Sequence, residues 1–229
     1  MNILTLKVGT RYSSEDVNKL FEQIATNTTR SFEMYCLTED TQGLLDPIHT
    51  IPLWKPEEAN KQWHKLRLHD PQQTRIPLGE QCMILDLDWE IKNNIDDIIT
   101  WPMKWGEFIT IYRWWSDMVD VCPLNGGLQM FYMGDTEHLW QKFWMNPIHY
   151  QETYVVQGKC EEGMGEQNFI HEELKIPRLY LPRHWFGKYN EKVLEHTRMK
   201  YTEEVDSYGM YFLDGEFDSK IKMVHYAGA

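Results

Sequence analysis

The sequence predicts an α/β fold in which a mostly parallel sheet is flanked by helices, and three observations support this. Short apolar runs typical of strands alternate with helix-like segments over the first hundred residues, an order that favours right-handed crossovers between parallel strands. Hydrophobic residues make up 42% of the 229-residue chain and aromatic residues 14%, which suits a folded domain with a sizeable core. An acidic pair also follows one of the apolar runs, where open α/β sheets bind ligands.

Three strands and one helix are predicted at the start of the chain. The apolar runs at 3–8, 32–37 and 48–53 are typical of strands. Between the first two runs, Ser13 and Ser14 can cap a helix. Its apolar residues recur at intervals of three and four, as on the buried face of a helix: Val17, Leu20, Phe21 and Ile24. This segment therefore predicts the first strand–helix–strand unit of a parallel sheet.

The remaining elements are predicted with less regularity in the second half. We expect, in order, a helix at 57–68, a strand over Cys82-Met83-Ile84-Leu85, a short capped helix at 93–99, strands at 108–113 and 127–133, and a helix at 136–144. From 150 to 218 the pattern is weak. Because no repeat or linker divides the chain, we expect a single domain over 1–229.

Composition excludes some classes of function. Lys and Arg number 23 against 35 Asp and Glu, a formal net charge of −12, so a non-specific nucleic-acid binder is not expected. An anionic substrate would have to be held by a metal and a few local cations. The four cysteines match no zinc or disulfide framework. The sequence has no signal-peptide pattern and no membrane-spanning run, so we expect a cytoplasmic protein with no membrane partner.

The acidic pair Asp86 and Asp88 carries the most chemical information. Two residues apart on an extended chain, they share one face at a separation of roughly 6–7 Å. Two carboxylates near a core cannot both stay charged without a counter-cation. A divalent metal that carries a phosphorylated ligand fits this need, because hard cations prefer carboxylate and phosphate oxygens.

Other short motifs accompany this pair in a fixed order: Val8-Gly9-Thr10-Arg11-Tyr12, Trp63-His64-Lys65-Leu66-Arg67-Leu68, Leu124-Asn125-Gly126-Gly127, Gly165-Glu166-Gln167-Asn168-Phe169 and His225-Tyr226-Ala227-Gly228-Ala229. With them the chain resembles GT-A-type nucleotide-sugar glycosyltransferases, and is most similar to the group that contains glycogenin and the bacterial lipopolysaccharide galactosyltransferases. The resemblance extends from the first strand to the last five residues. It implies a GT-A fold with a nucleotide-binding half at 1–100 and a sugar and acceptor half at 101–229.

The resemblance also implies a metal site and a nucleoside pocket. Asp86, Asp88 and His225 would bind Mn²⁺ (or Mg²⁺), which would hold both phosphates of a nucleoside-diphosphate sugar. The nucleoside pocket would be lined by Val8, Thr10 and Tyr12, with Tyr12 stacked on the base. We expect the donor to be a UDP-sugar, and the acceptor, whether glycan, protein or another molecule, is left open.

Further donor-site residues follow from the same resemblance. Lys65 would steady the diphosphate or the sugar, and Gly228 would belong to the family's His-x-x-Gly donor motif. Asn125 and Gly126 would contact the donor sugar. The catalytic pair would be Glu166 and Gln167, which would face the sugar near its anomeric carbon, and the resemblance implies retention of configuration. Glu166 departs from the family pattern, which usually has Asp there.

Simpler interpretations remain open for several of these residues. Asp86 and Asp88 could be a solvated strand end, and His225 a structural histidine. Asn125 and Gly126 could form a tight turn, since Asn-Gly favours one. A tryptophan cluster could form either an acceptor-binding rim or part of the core: Trp101, Trp105, Trp114 and Trp115.

Two other functions compete with sugar transfer. A haloacid-dehalogenase-type phosphatase also has Asp-x-Asp at a strand end, but it needs Thr or Val where this chain has Glu90. A catalytically inert sugar-binding module would keep the fold without turnover. The sequence therefore favours the transferase and leaves the two alternatives to experiment.

Overall fold

A seven-stranded sheet forms the centre of the protein in the computed structural model, which describes residues 1–114, 116, 119–156, 165–189 and 221–226. The strands described are β1 (Asn2–Lys7), β2 (Glu33–Thr38), β3 (Ile48–Pro52), β4 (Gln81–Leu85), β5 (Trp89–Ile91), β6 (Phe108–Tyr112), β7 (Leu124–Tyr132), β8 (Arg178–Tyr180), β9 (Phe186–Tyr189) and β10 (Met223–Tyr226). The α-helices described are α1 (Ser14–Asn27), α2 (Pro71–Thr74), α3 (Asp96–Ile99), α4 (Glu137–Met145), α5 (Pro147–Val156) and α6 (Gly165–Glu173).

The large sheet has the strand order β3-β2-β1-β4-β7-β6-β8, and only β7 runs against the others. The mostly parallel sheet predicted from the sequence is thus confirmed. A second sheet has the order β5-β10-β9, with β10 antiparallel to β5 and parallel to β9. The small sheet begins directly after β4, so it stands beside the carboxyl end of that strand.

Both faces of the large sheet are buried at its central strands, because alternate residues of these strands enter different cores. In β1, Ile3 packs with Val17 and Leu20 of α1, whereas Leu4 packs with Leu66 and Phe143 on the opposite face. Near-continuous burial of this kind is typical of parallel strands covered on two sides. No helix in the described ranges is long and apolar enough to cross a membrane.

The first helix begins as the sequence predicts. Ser13 is the N-cap of α1, where its side chain accepts a hydrogen bond from the Asp16 backbone while the Asp16 carboxylate accepts one from the Ser13 backbone. This reciprocal capping box satisfies two backbone donors that a helix start would otherwise leave unpaired. The start of α1 is therefore fixed by local chemistry.

Two expectations about secondary structure are wrong. The region predicted as a helix at 57–68 forms two 3₁₀ segments, Pro56–Glu58 and Lys61–His69, because Ala59 and Asn60 between them are extended. Every residue from 63 to 69 is buried, so this segment packs on all sides and does not bury a single apolar face, as a surface helix does. The strand expected at 127–133 begins earlier, at Leu124. Asn125 and Gly126 therefore lie inside β7, and the tight-turn interpretation is wrong.

The stretch with weak pattern also contains regular structure. Helices α5 and α6 and strands β8 and β9 fall there. These elements are short, and α6 buries six consecutive residues from Gly165 to Ile170, so its sequence lacks the periodic contrast that identifies a surface helix. Three cysteines, Cys36, Cys82 and Cys122, are buried free thiols, and Cys160 lies outside the described residues.

Candidate active site

A pocket opens at the carboxyl ends of β1 and β4, where the acidic pair follows the fourth strand. Its cavity of about 120 Å³ is lined by Leu6, Val8, Arg11, Tyr12, Lys61, Gln62, Lys65, Asp86, Leu87 and Asp88. The Asp86 and Asp88 side chains keep 27% and 17% of their surface exposed. Ligands of open α/β sheets bind at such strand ends, so this pocket is the candidate active site.

One part of the site is organised around a buried lysine. The ammonium of Lys65 donates to Asp86 Oδ2 at 2.8 Å, to the Gly126 carbonyl at 3.1 Å and to Glu166 Oε1 at 3.3 Å. The 3₁₀ segment Lys61–His69 supplies the lysine, the end of β4 supplies Asp86, and α6 supplies Glu166. We call Lys65, Asp86 and Glu166 the lysine side of the site.

The lysine side contains two carboxylates for one ammonium. Burial raises the pKa of Asp86 and of Glu166, although Lys65 opposes the shift in both. Burial also acts against the charge of Lys65, but Asp86 and Glu166 outweigh it and raise the pKa of this lysine. Glu166 Oε2 is buried without a hydrogen bond to the described residues. The lysine side therefore holds an acceptor that none of the described residues satisfies.

The other part of the site is a row of side chains across the small sheet. His225 of β10 is in register with Trp89 of β5 and with Lys188 of β9. The histidine ring stacks on the Trp89 indole at 4.7 Å, its Nδ1 lies 2.7 Å from the Lys188 ammonium, and its Nε2 lies 3.1 Å from Asp88 Oδ1. We call Asp88, Trp89, Lys188 and His225 the histidine side.

Electrostatics on the histidine side favour an ionised Asp88. Burial alone would raise the pKa of Asp88, but His225 and Lys188 outweigh it and lower that pKa. The pKa of His225 is lowered, because burial outweighs the favourable charge of Asp88. Asp88 is thus the more firmly charged of the two aspartates.

Two glycines of β7 separate the two sides. A Cβ on Gly126 would lie 3.0 Å from Gln167 Cβ and 3.2 Å from Glu166 Oε1. A Cβ on Gly127 would lie 3.0 Å from Trp89 Nε1 and 3.2 Å from Asp86 Oδ2. Real Cβ contacts are rarely this close, so a side chain at either glycine would require the neighbouring side chains to move by a few tenths of an ångström.

Comparisons with known proteins agree with this architecture. No protein-family model matches the chain, and no curated protein sequence matches it. Among solved structures, the galactosyltransferase LgtC in complex with donor and acceptor sugar analogs is similar with a TM-score of 0.65 and 11% identity, over 100% of this chain and 87% of LgtC. Mouse xyloside xylosyltransferase 1 matches with a TM-score of 0.55 and 12% identity, over 100% of this chain and 98% of its own. The glycosyltransferase GlyE of Streptococcus pneumoniae TIGR4 has a TM-score of 0.55 and 10% identity, over 99% of this chain and 54% of GlyE.

The chain has the GT-A fold. Identities of 10–12% carry no residue roles, so those roles depend on the geometry of this site.

The structure brings together most of the residues expected in the site. Val8, Tyr12, Lys65 and the acidic pair line the pocket. Tyr12 is half-buried under the Arg11 guanidinium, 5.1 Å from its ring centre, and burial, with Asp88, raises its pKa to about 12. Thr10 is exposed in the turn after β1 and is not among the lining residues.

Two other expected residues, Asn125 and Gln167, are not among the residues that line the pocket. Asn125 Oδ1 accepts a hydrogen bond from the Gly127 backbone at 2.9 Å, and Gln167 Oε1 accepts one from the Gly126 backbone at 3.1 Å. Both side chains are buried and hold the glycine segment of β7. Gly228 lies outside the described residues.

The acceptor-rim interpretation of the tryptophan cluster is not supported. Trp105 is 59% exposed but stacks on Tyr132, at the far end of β7 from Asn125. A nine-residue strand places these ends roughly 25 Å apart. Trp101 packs on Trp185, Trp114 is buried, and Trp115 lies outside the described residues.

Sequence reasoning missed the partners of His225. Trp89 directly follows the acidic pair, but Leu87 and Asp88 form a turn in place of the extended chain that the sequence suggested, so strand alternation could not have indicated its contact with His225. Lys188 lies in the stretch of weak pattern, and no local feature distinguishes it. Arg11 and Lys61, which bring positive charge to the pocket, were also missed.

Asp86, Asp88 and His225 are of the chemical types that bind a divalent cation, but their present arrangement does not form a metal site. Two carboxylates and an imidazole are ligands that Mn²⁺ accepts. In the part of the chain that the structure describes, buried Asp88 Oδ1 has no hydrogen bond beyond its ion-pair contact with His225. Within the described residues, however, no group of three or more His, Cys, Asp or Glu side chains is arranged to hold a metal. Lys65 contacts Asp86 and Lys188 contacts His225, so these ligands would have to exchange partners.

Proposed function

We propose that the protein transfers a sugar from a nucleoside-diphosphate sugar, with UDP as the nucleotide, to an acceptor. The observation that carries this proposal is the pocket at the ends of β1 and β4. It combines an aromatic ring, Tyr12, with a buried ammonium, Lys65, and two carboxylates, Asp86 and Asp88. An aromatic face suits a base, and an ammonium suits a phosphate. The GT-A fold shared with sugar transferases supports the same assignment.

Asp86, Asp88 and His225 would hold a divalent cation, Mn²⁺ or Mg²⁺, once a nucleotide brings phosphate oxygens to the site. Bound there, the cation would neutralise charge on the departing diphosphate. Arg11 and Lys61 at the pocket rim and Lys65 at its base add positive charge around the phosphates. These cations compensate locally for the net charge of −12.

Glu166 and Gln167 have different parts in this proposal. As the donor bond breaks, the sugar develops positive charge that a nearby carboxylate supports. One buried oxygen of Glu166 has no hydrogen bond to any described residue, so it can accept from a sugar hydroxyl or face the anomeric carbon. Gln167 holds the Gly126 backbone and with it the carbonyl that Lys65 contacts. Gln167 is thus a positioning residue, and retention of configuration stays a prediction.

A thermal-shift panel of nucleoside diphosphates with and without Mn²⁺ tests the proposal, since a ligand that binds the native state raises the midpoint by mass action. We expect the largest shift with UDP plus Mn²⁺. Asp88→Asn should abolish the metal-dependent part, while Asp46→Asn, the same change at an exposed site, should leave it intact. No shift with any nucleotide would contradict the proposal.

Turnover separates the proposal from its alternatives. Mn²⁺-dependent hydrolysis of a UDP-sugar that is lost in Asp88→Asn supports a transferase. Release of phosphate from a generic phosphomonoester would instead indicate a phosphatase. Sugar binding that is unchanged by a chelator, without hydrolysis, would indicate an inert binding module. The acceptor is to be sought among glycans and proteins before polyanions.

A further inference from the structure

The contact between Lys188 and His225 is unusual for a histidine expected to bind a metal. Lys188 is 7% exposed and His225 is 8% exposed, and the Lys188 ammonium lies 2.7 Å from His225 Nδ1. An ammonium has only N–H donors, so Nδ1 accepts in this contact. Metal-ligating histidines in proteins usually do the reverse and donate this second N–H to an acceptor.

A metal on His225 would therefore be incompatible with the present contact. For Nε2, which faces Asp88, to ligate a cation, the hydrogen of the neutral ring would sit on Nδ1 and point at the Lys188 ammonium. Two donors would then face each other. The contact would have to break before the imidazole could serve as a ligand.

The lysine side repeats this arrangement. The Lys65 ammonium lies 2.8 Å from Asp86 Oδ2, the carboxylate that would be a second ligand. Two buried ammonium groups thus stand where positive charge from a metal would act, and like charges in a partly dehydrated site repel strongly. A diphosphate offers oxygens that both ammonium groups can bind in place of the aspartate and the histidine.

We propose that Lys188 makes divalent-cation binding depend on nucleotide: it opposes the metal while the pocket is empty and turns to the diphosphate when nucleotide enters. This inference rests on the proposed function, because it requires a nucleoside diphosphate as ligand. Metal and nucleotide are then coupled, and the coupling acts equally on both affinities. Lys188 is a binding residue of the histidine side, in register with His225.

The signature of this role is a pair of opposite effects. Removing the positive charge of Lys188 should strengthen Mn²⁺ binding in the absence of nucleotide. It should also weaken UDP binding in the absence of metal, and each change in affinity should be about fivefold or more. A residue that only orients His225 as a ligand would weaken Mn²⁺ binding when lost. The sign of the change in Mn²⁺ affinity therefore separates the two roles.

The test measures Mn²⁺ binding and UDP binding separately and together, by calorimetry, for the wild type, K188Q, K188M and K188R. Gln removes the charge and has an amide oxygen that can accept from Nδ1–H, Met removes both the charge and the hydrogen bond, and Arg keeps the charge. K92M is the matched control, because Lys92 pairs with Glu90 next to the same small sheet. Urea unfolding shows which variants are folded, and the affinities are compared among those.

The expected result is tighter Mn²⁺ binding and weaker UDP binding in K188Q and K188M, a smaller coupling between the two ligands, and wild-type behaviour in K188R and K92M. Weaker or unchanged Mn²⁺ binding in K188Q would overturn the inference. If the wild type binds UDP with Mn²⁺ but K188Q leaves the coupling unchanged, only this inference fails. If the wild type binds no nucleotide under any condition, the proposed function fails with it.

Discussion

The lysine side and the histidine side begin two residues apart in the chain but have opposite electrostatic character. On the lysine side, Asp86 shares a single ammonium with Glu166, and burial raises its pKa. On the histidine side, His225 and Lys188 outweigh burial and lower the pKa of Asp88. The two carboxylates belong to one motif, so the difference comes from what packs against each. Partners from distant elements, and not motif spacing, set the chemistry of each oxygen.

The largest expected effect comes from removing the cation of the lysine side. Lys65→Met would leave Asp86 and Glu166 without their shared partner, and breaking a buried ion pair in this way costs about 3–5 kcal/mol. Lys55→Met is the matched control, because Lys55 pairs with Glu58 at the surface with 53% of its side chain exposed, where a pair contributes about 0–1 kcal/mol. Urea unfolding measures both. Equal losses of unfolding free energy in the two variants would mean that the buried ion pairs of Lys65 contribute no more than an exposed pair.

An intermediate effect is expected at the two glycines between the sides. Gly126→Ala and Gly127→Ala should each destabilise the fold by about 1–3 kcal/mol, the usual cost of overpacking. The Gly127 clash is with Trp89 Nε1, which donates to the Gly127 carbonyl at 2.9 Å. Since Phe lacks this nitrogen, Gly127→Ala should lower the free energy of unfolding by less in a Trp89→Phe background than in the wild type.

The cost of Gly126→Ala should stay the same in that background, because the Cβ at position 126 meets Gln167 and Glu166. A double-mutant cycle by urea unfolding measures both couplings. If Trp89→Phe changed the two costs equally, the glycines would not separate two independent sides.

The smallest effect expected is a difference in pH dependence. The pKa of Asp88 is lowered on folding, so its stabilising contribution is present above its unfolded pKa near 3.8 and is lost as pH falls through the folded pKa. The pKa of Asp86 is raised, so its contribution is greatest at low pH and declines as pH rises from its unfolded pKa through its folded pKa. A difference of one bound proton between the folded and unfolded states changes the free energy of unfolding by at most about 1.4 kcal/mol per pH unit.

Asp88→Asn should therefore become more destabilising as pH rises through the acidic range, and Asp86→Asn less so. Urea unfolding at a series of pH values between 3 and 7 (roughly the range in which carboxylates titrate) gives both profiles. Parallel profiles would contradict the difference between the two sides.

Sequence reasoning succeeded where structure depends on neighbours along the chain. The Ser13 capping box and the apolar stripe of α1 act within a few residues, and the apolar run of β4 ends at the acidic pair. The helix expected at 57–68 failed because this stretch is enclosed by α4, α6 and the sheet. Burial on all sides removes the periodic pattern and permits 3₁₀ geometry, which no local feature specified.

The sequence by itself determined a mostly parallel α/β sheet and put two carboxylates at the end of its fourth strand, since apolar periodicity and capping are local. Only the tertiary structure decided that Lys65 joins Asp86 to Glu166, which is 80 positions further along the chain, and that Trp89, His225 and Lys188 form one row. Strand register and packing between distant segments create these contacts. Contacts between residues so far apart in the chain produce no recognisable spacing in the sequence.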